Sequence, residues 1–175
     1  MREIRAAAVA LVAMSLALGL AYPLAMTVFG GRADPSLIGR DFSRDLDSFQ
    51  SRPSATEYSA TATFFNNQGP NQKELADQLK ASVKAYLDRE RPTTPSLRAA
   101  TIPADAVTTS ASGVDPDISE ANARIQANRV ARRRGLPLRR VLALVDAHTT
   151  HPLLGLGGAG SVNVRELNQA LENLR

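Results

Sequence analysis

The sequence predicts an α+β protein in which one N-terminal transmembrane helix precedes a single mixed α/β soluble domain that is richer in helix than in strand. Three observations lead to this fold class: an uncharged apolar run at residues 6–31, amphipathic helical patterns in the rest of the chain, and one short β-branched run. The 175 residues leave roughly 140 beyond the apolar run, which is enough for one hydrophobic core. We therefore divide the chain into a transmembrane anchor, residues 1–31, and an exported domain, residues 32–175.

The run at 6–31 is long enough to form a transmembrane helix. Its 26 uncharged residues exceed the roughly 20 that a helix needs to cross the hydrocarbon core. A cleaved signal peptide, with small residues at Gly19 and Ala21, is the alternative, but the apolar character continues through Phe29, as expected of an anchor. Pro23 is expected to kink the helix or to mark where it leaves the hydrocarbon.

The charges that flank the anchor predict its orientation. Arg2 and Arg5 precede the run, whereas residues 32–41 carry charges of both signs. The positive-inside rule therefore places the N-terminus in the cytoplasm and the C-terminal domain outside. We expect a single-pass protein of the cell (inner) membrane.

Four amphipathic patterns predict the helices of the exported domain. The first covers residues 71–88, where apolar positions recur at steps of three and four opposite charged ones, so a buried stripe is expected. The last covers residues 164–174, which place their apolar positions on one stripe. Residues 32–57 are polar and rich in turn residues, so no long helix is expected there.

Glycine and proline separate the two middle helices. A capping box at Asp117 and Glu120 is expected to begin a helix that Gly135 ends, and Pro137 is expected to begin the next helix. A β-branched run predicts a short strand within residues 106–110.

The composition excludes several kinds of site. The chain has no cysteine, two histidines and no tryptophan. Thiolate metal sites, disulfides and cysteine nucleophiles are therefore excluded, and other metal sites and base-stacking surfaces are disfavoured. The net charge of +4 comes from an arginine excess and is compatible with nucleic acid, an acidic partner or solubility alone.

Seven arginines lie between Glu120 and Asp146 with no acid among them. The pattern of helix, glycine and helix with this charge is typical of a helix-turn-helix DNA-binding motif. Because the anchor places the segment outside the cell, no nucleic acid is expected as a partner. A solvated basic face, or a surface for an acidic partner or lipid head groups, is the other interpretation. The seven are Arg124, Arg129, Arg132, Arg133, Arg134, Arg139 and Arg140.

Other motifs that could carry chemistry are incomplete. His148 and His151 have a spacing found in metal sites but lack a third ligand, so a surface pair is expected. The acidic run 115–120 lacks the spacing of a calcium loop, and the glycine-rich residues 155–160 lack the lysine of a P-loop. No serine stands with a histidine in a recognisable catalytic arrangement. We predict no catalytic residue, no metal site and no cofactor bound directly by this chain.

Five short runs, in this order and spacing, resemble those of a known family. They are Tyr22-Pro23-Leu24, FQSRPSAT at 49–56, TTSASGVDPDIS at 108–119, RVARRRGL at 129–136 and VNVRELNQALENL at 162–174. With them, essentially the whole chain resembles the KdpC family, the C subunit of the bacterial Kdp potassium-transporting P-type ATPase. It departs from the family pattern in two places. Residues 63–70 read TFFNNQGP instead of a serine- and glycine-rich stretch, and Ala159-Gly160 replace Glu-Pro.

The resemblance implies an accessory subunit that is not itself an enzyme. Its implied partners are the potassium-channel-like subunit and the ATP-hydrolysing pump subunit, together with membrane lipid, while the complex handles ATP and K+. The subunit would stabilise assembly and raise the ATP affinity of the pump subunit as a catalytic chaperone. An exported domain could raise that affinity only by coupling through the membrane subunits.

The resemblance also implies docking or structural positions within these runs. Each position could equally serve turn or cap chemistry. They are Arg52, Pro53, Ser54, Ala55, Thr56, Ser110, Ala111, Ser112, Gly113 and Asn163.

The anchor is expected to pack against partner helices through its small residues Ala8, Ala13, Ala17 and Gly19. The alternative function, from another class, is a stand-alone membrane-anchored module that binds an anionic ligand or lipid through the arginine segment. Co-purification after mild detergent extraction distinguishes the two functions, because the module would be isolated alone.

Overall fold

The computed structural model describes residues 1–29, 34–59, 61–62, 68–152 and 158–174. The chain divides into two compact units, Met1–Pro35 and Ser36–Arg175. The first unit is helical, and the second is a helix-rich domain with a small three-stranded sheet. The predicted fold class, α+β with more helix than strand, is confirmed.

The first unit is one long helix with a distortion near its middle. Helix α1 covers Arg2–Leu16, helix α2 covers Tyr22–Phe29, and a π-helical turn, Ala17–Ala21, joins them. The π turn ends two residues before Pro23, which has no N–H to donate and whose ring would clash with the preceding turn of a regular α-helix. The distortion expected at Pro23 is therefore a π turn, and the helix continues beyond it. The span Arg2–Val28 is long and apolar enough to cross a membrane.

Four helices of the second unit lie where the sequence predicts them. Gly135 ends the second of these in the left-handed conformation, with φ 65°, and Pro137 is the residue before the third. A 3-10 turn, Pro35–Leu37, is the one short helix between residues 34 and 59, so the expectation of no long helix there holds for the described part. The four are α3, Lys73–Glu90; α4, Glu120–Arg134; α5, Leu138–Ala147; and α6, Val164–Glu172.

Helix α4 is capped by Ser119, so the predicted capping box is wrong. The Ser119 hydroxyl accepts a hydrogen bond from the N–H of Asn122 at 3.2 Å. Asp117 lies two residues earlier, in a strand that ends at Ser119. The strand sets the backbone direction up to the helix, so the cap falls on its last residue.

The sheet has three short antiparallel strands. Strand β1 covers Asp117–Ser119, β2 covers Thr149–Thr150 and β3 covers Ser161–Asn163, in the order β1-β3-β2. Ile118 is paired with Val162 across β1 and β3, and both side chains are buried.

The strand predicted within residues 106–110 is wrong. Residues Ala104–Ala106 form a 3-10 turn instead, and the Thr108 hydroxyl donates to the carbonyl of Ala104 at 2.8 Å. The backbone carbonyls of Thr108 and Thr109 accept hydrogen bonds from the Arg52 guanidinium, so they are not paired with a strand.

The main core lies between the sheet and helices α4, α5 and α6. Three alanines at four-residue steps, Ala123, Ala127 and Ala131, line one face of α4, and their small size lets α5 pack closely against it. The other buried apolar side chains of this core are Phe49, Ile118, Val130, Val141, Val145, Val162, Val164, Leu167 and Leu171.

Helix α3 is buried only at its C-terminal end. Tyr86 packs with Leu97 and Ala106 in a second, smaller cluster, and Tyr86 and Glu90 are the two buried residues of the helix. Val83 and Leu79, one and two turns earlier, are only partly covered. The predicted buried stripe is therefore only partly formed.

Candidate functional site

The structure brings together the two predicted runs 52–56 and 110–113, which we call the clasp. The N–H of Ser110 donates to the carbonyl of Pro53 at 3.1 Å. The carbonyl of Gly113 accepts from the Ser54 hydroxyl at 2.6 Å and from the Thr56 hydroxyl at 3.2 Å. Nine of the ten predicted positions thus lie in one hydrogen-bonded structure.

Arg52 fixes one side of the clasp. Its guanidinium donates to the carbonyl of Thr108 at 3.2 Å, the carbonyl of Thr109 at 3.3 Å and the hydroxyl of Thr108 at 3.3 Å. It also forms an ion pair with Asp115 at 3.2 Å. A planar group with several donors suits this set of acceptors, whereas a lysine ammonium would not span it.

Gly113 is required where the two runs meet. Its φ is +73°, a conformation that side chains rarely adopt, and a Cβ atom there would lie 2.2 Å from the Thr56 hydroxyl oxygen. The Gly113 N–H donates to the Ser110 hydroxyl at 2.9 Å. The close approach therefore depends on the absence of a side chain.

Two consecutive residues after the first run, Glu57 and Tyr58, have left-handed backbones, with φ 52° and 62°. This conformation is costly for residues other than glycine and persists where other contacts hold it. Here the Ser54 hydroxyl accepts hydrogen bonds from the N–H groups of Thr56 and Tyr58, each at 3.1 Å. The Tyr58 hydroxyl donates to the Arg52 carbonyl. Burial raises the pKa of Tyr58 to about 12, so the hydroxyl stays protonated as a donor.

The outer surface of the clasp carries small side chains. Ala55, Ala111 and Ser112 are exposed. Beside them a cleft of about 430 Å³ is lined by clasp residues and by charged side chains of both signs, among them Asp41 and Arg44. The polar groups of the clasp bond mainly to one another.

Asn163 lies outside the clasp and caps helix α6. Its side-chain oxygen accepts from the N–H groups of Arg165 and Glu166, both at 3.1 Å. Its amide nitrogen donates to the carbonyl of Ser36 at 2.8 Å, which ties the first residue of the second unit to α6. The cap role left open by the sequence is therefore the one observed for Asn163.

Two buried amides that the sequence analysis did not single out hold the residues before the clasp. Gln126 accepts from the N–H of Gln50 at 2.7 Å and donates to its carbonyl at 3.1 Å. The Asn168 side chain likewise accepts a hydrogen bond from the N–H of Phe49 at 2.8 Å and donates one to its carbonyl at 2.9 Å. The available signal was an amide side chain on the apolar face of each helix, which must find a buried hydrogen-bond partner.

The arginine segment is not a uniform basic face. Arg129 is buried and paired with Glu90 at 3.0 Å, and Arg124 is paired with both Glu120 and Asp146. Arg133 pairs with Asp47, and Arg134 donates to the Asp47 carbonyl. Three of the seven arginines are thus paired with carboxylates of the same domain, and four are not.

The two histidines and the acidic residues do not form a metal site in the part of the chain that the structure describes. The Nδ1 atom of His148 lies 3.0 Å from the carbonyl of Leu144, and His151 is exposed. Across the described ranges, no group of three or more His, Asp or Glu side chains is placed to hold a metal ion. Residues 63–67 and 153–157, which contain most of the divergent loop at 63–70 and half of the glycine-rich run at 155–160, lie outside the described residues.

Together these features define a class: a membrane-associated protein with one N-terminal apolar helix and a helix-rich domain that carries a polar clasp. The chain belongs to the KdpC family, because the family model described as "KdpC: K+-transporting ATPase, c chain" matches residues 31–173. The family resemblance and the membrane association predicted from the sequence are thereby confirmed.

Relatives with the printed name "Potassium-transporting ATPase KdpC subunit" align with nearly the whole chain. That of Caulobacter vibrioides is 42% identical over 189 residues, which cover 97% of this chain and 92% of the relative. That of Variovorax paradoxus is 45% identical, covering 97% and 95%. That of Rhodopseudomonas palustris is 40% identical, covering 98% and 97%.

Proposed function

We propose that this chain is a non-catalytic accessory subunit of a high-affinity, ATP-driven potassium uptake complex and that it stabilises the assembly. The observation that carries the proposal is the family match over residues 31–173, with relatives named as subunits of a potassium-transporting ATPase. The self-bonded clasp also supports a role in docking over one in catalysis. Its partners would be the potassium-channel-like subunit and the ATP-hydrolysing pump subunit.

The partners can be tested by co-purification of the tagged full chain after mild detergent extraction. We expect the channel-like and pump subunits to be recovered with it. Recovery of the chain alone would contradict the proposal and favour the stand-alone binding module.

The domain is proposed to lie outside the cell, with the N-terminus in the cytoplasm. Arg2 and Arg5 precede the apolar helix, and cationic residues at a helix end favour the cytoplasmic side. The chain has no cysteine, so single cysteines can report the orientation. A cysteine in place of the exposed Ser112 should react with a membrane-impermeant reagent on intact cells, whereas one in place of Glu3 should not. Protection of the first and labelling of the second would reverse the proposed orientation.

The subunit is further proposed to raise the ATP affinity of the pump subunit without binding the nucleotide. From outside the membrane such an effect is a coupling free energy, which typically changes an affinity by about 5- to 150-fold. Omission of this chain from a purified complex should therefore raise the KM for ATP by at least about fivefold. An unchanged KM in a complex that still hydrolyses ATP would contradict the coupling.

The clasp is the proposed docking surface. Its bonds fix the backbone of two runs, and its exposed residues are small, so the backbone of a partner could approach closely. A rigid surface of this kind loses little conformational entropy on binding.

A further inference from the structure

The connection between α4 and α5 concentrates positive charge. We call residues 132–140 the basic turn. Arg132, Arg133, Arg134, Arg139 and Arg140 lie in it, with no acidic residue among them. All of its residues except Arg134 and Leu136 are exposed.

Four of these five arginines form no ion pair with a carboxylate in the described part of the chain. Asp47 neutralises Arg133 through an ion pair at 2.7 Å, and its carbonyl accepts from Arg134. Arg132 donates only to the carbonyl of Pro92 at 3.1 Å. Among the described residues, the side chains of Arg139 and Arg140 make neither a hydrogen bond nor an ion pair. The turn therefore keeps a local excess of positive charge.

An apolar side chain stands among these cations. Leu138 retains 39% of its surface in contact with solvent, and it immediately precedes Arg139 and Arg140 on the first turn of α5. At the opposite end of α5, Asp146 is paired with Arg124. An exposed leucine with flanking arginines is typical of segments that bind an anionic lipid surface, where the leucine enters the headgroup region.

The covalent tether favours lipid over a soluble acidic partner. Ser36, the first residue of the second unit, follows seven residues after Phe29, the last residue of α2. Seven residues span at most about 25 Å. A domain held this close to a membrane meets its headgroups at a high effective concentration, so a weak contact is sufficient.

We propose that the basic turn docks on the anionic headgroups of the bilayer that holds the N-terminal helix. The proposal rests on the membrane anchoring in the proposed function, and it assigns the turn a ligand separate from the partners of the clasp. Each arginine close to an anionic surface contributes roughly a fivefold factor, so the removal of two should weaken docking by about 30-fold.

The test uses the full chain in vesicles of phosphatidylcholine alone or with 30% phosphatidylglycerol. A cysteine in place of the exposed Ala143, one turn after Arg139 and Arg140, carries a dye that a headgroup-attached quencher can reach. We expect quenching in the anionic vesicles, little in the neutral ones, and reversal by high salt. The double substitution R139Q/R140Q should shift the docked-to-undocked ratio by about 30-fold, whereas K80Q/K84Q on α3, with the same loss of charge, should not.

Any of four results would overturn the proposal. Equal quenching in both kinds of vesicle would show that charge does not direct docking, and an equal effect of K80Q/K84Q would show that the turn is not the docking surface. Quenching that requires the other subunits of the complex would assign the turn to a protein partner. Co-flotation with neutral vesicles is measured separately: its loss would contradict the anchor itself, whereas flotation without quenching would contradict only this proposal.

Discussion

The Arg129 guanidinium lies 3.0 Å from a carboxylate oxygen of Glu90, and both side chains are buried, so a salt bridge joins α4 to the C-terminal end of α3. Arg129 also donates to the carbonyls of Leu46 and Ser48 and thereby holds the segment before the clasp. Burial lowers the pKa of Arg129, and the charge of Glu90 opposes that shift. The Arg129 side chain thus connects α3, α4 and the segment that precedes the clasp.

Loss of this pair should be strongly destabilising. The substitution R129M leaves the buried Glu90 with Arg89 as its remaining cationic partner. Removal of one partner of a buried pair typically costs about 3–5 kcal/mol, so we expect the free energy of unfolding to fall by about 3 kcal/mol. Urea-dependent proteolysis of the full chain in mild detergent measures it. The control R132M removes an exposed arginine and should cost about 0.5 kcal/mol or less; equal losses would contradict the structural role of Arg129.

The close approach of Gly113 to Thr56 predicts a second large effect. In G113A the new methyl group would meet the Thr56 side chain, and the left-handed backbone would be strained as well. Together these terms should cost about 3 kcal/mol. Gly135 also has a positive φ but has open space around it, so G135A should cost only about 1 kcal/mol in the same assay. If G135A proved as harmful as G113A, the clasp contact would not be the cause.

Two aspartates should give opposite pH dependences. Burial raises the pKa of Asp117, and the nearby Asp115 adds to the rise. The ionised Asp117 therefore lowers stability above its folded pKa, and this penalty disappears below the unfolded value of about 3.9. We expect D117N to be more stable than the parent at pH 7 and equal to it near pH 3.

Asp45 provides the matched comparison. A hydrogen bond from the Ser48 hydroxyl lowers the pKa of Asp45. Its contribution is therefore stabilising above about pH 3.9 and is lost as the pH falls through the folded pKa. D45N should be less stable than the parent at pH 7. Thermal unfolding of the full chain in detergent across this pH range measures both variants, and a shift of the same sign in both would contradict the assignment.

The clasp proposal predicts an assembly defect without unfolding. A111W places a large side chain on the exposed surface of the clasp, where it should block the approach of a partner. We expect recovery of the partner subunits with the tagged chain to fall more than tenfold while the melting temperature stays within about 2 °C of the parent. The control A121W, on the exposed start of α4, should leave recovery unchanged. Normal recovery with A111W would place docking elsewhere.

Local signals predicted the helices and the anchor. Gly135 and Pro137 mark their helix ends through backbone conformation alone, and the uncharged run at 6–31 needs no tertiary contact to be recognised. The cap of α4 was misplaced because β1 ends at Ser119, and such a short strand has no periodic signal. The strand predicted near Thr108 does not form. The Thr108 carbonyl instead accepts a hydrogen bond from Arg52, which is far away in the sequence.

Long-range polar contacts could not be predicted either, because they join residues that lie far apart in the sequence. The sequence places Arg129 in a row of arginines that predicts a basic surface, because nothing near it in sequence indicates that Glu90, 39 positions earlier, is its buried partner. The clasp runs were recognised by their resemblance to a family, and their mutual hydrogen bonds follow only from the folded chain. Gln126 has no local pattern that points to Gln50.

The central claim, an anchored accessory subunit, is tested most directly by removal of the anchor. Cells that depend on the complex for potassium would carry either the full chain or a chain without residues 1–31. Only the full chain should support ATP-driven K+ uptake at low external potassium, and the truncated domain should be released from the membrane fraction. Uptake that is unchanged without residues 1–31 would contradict the account.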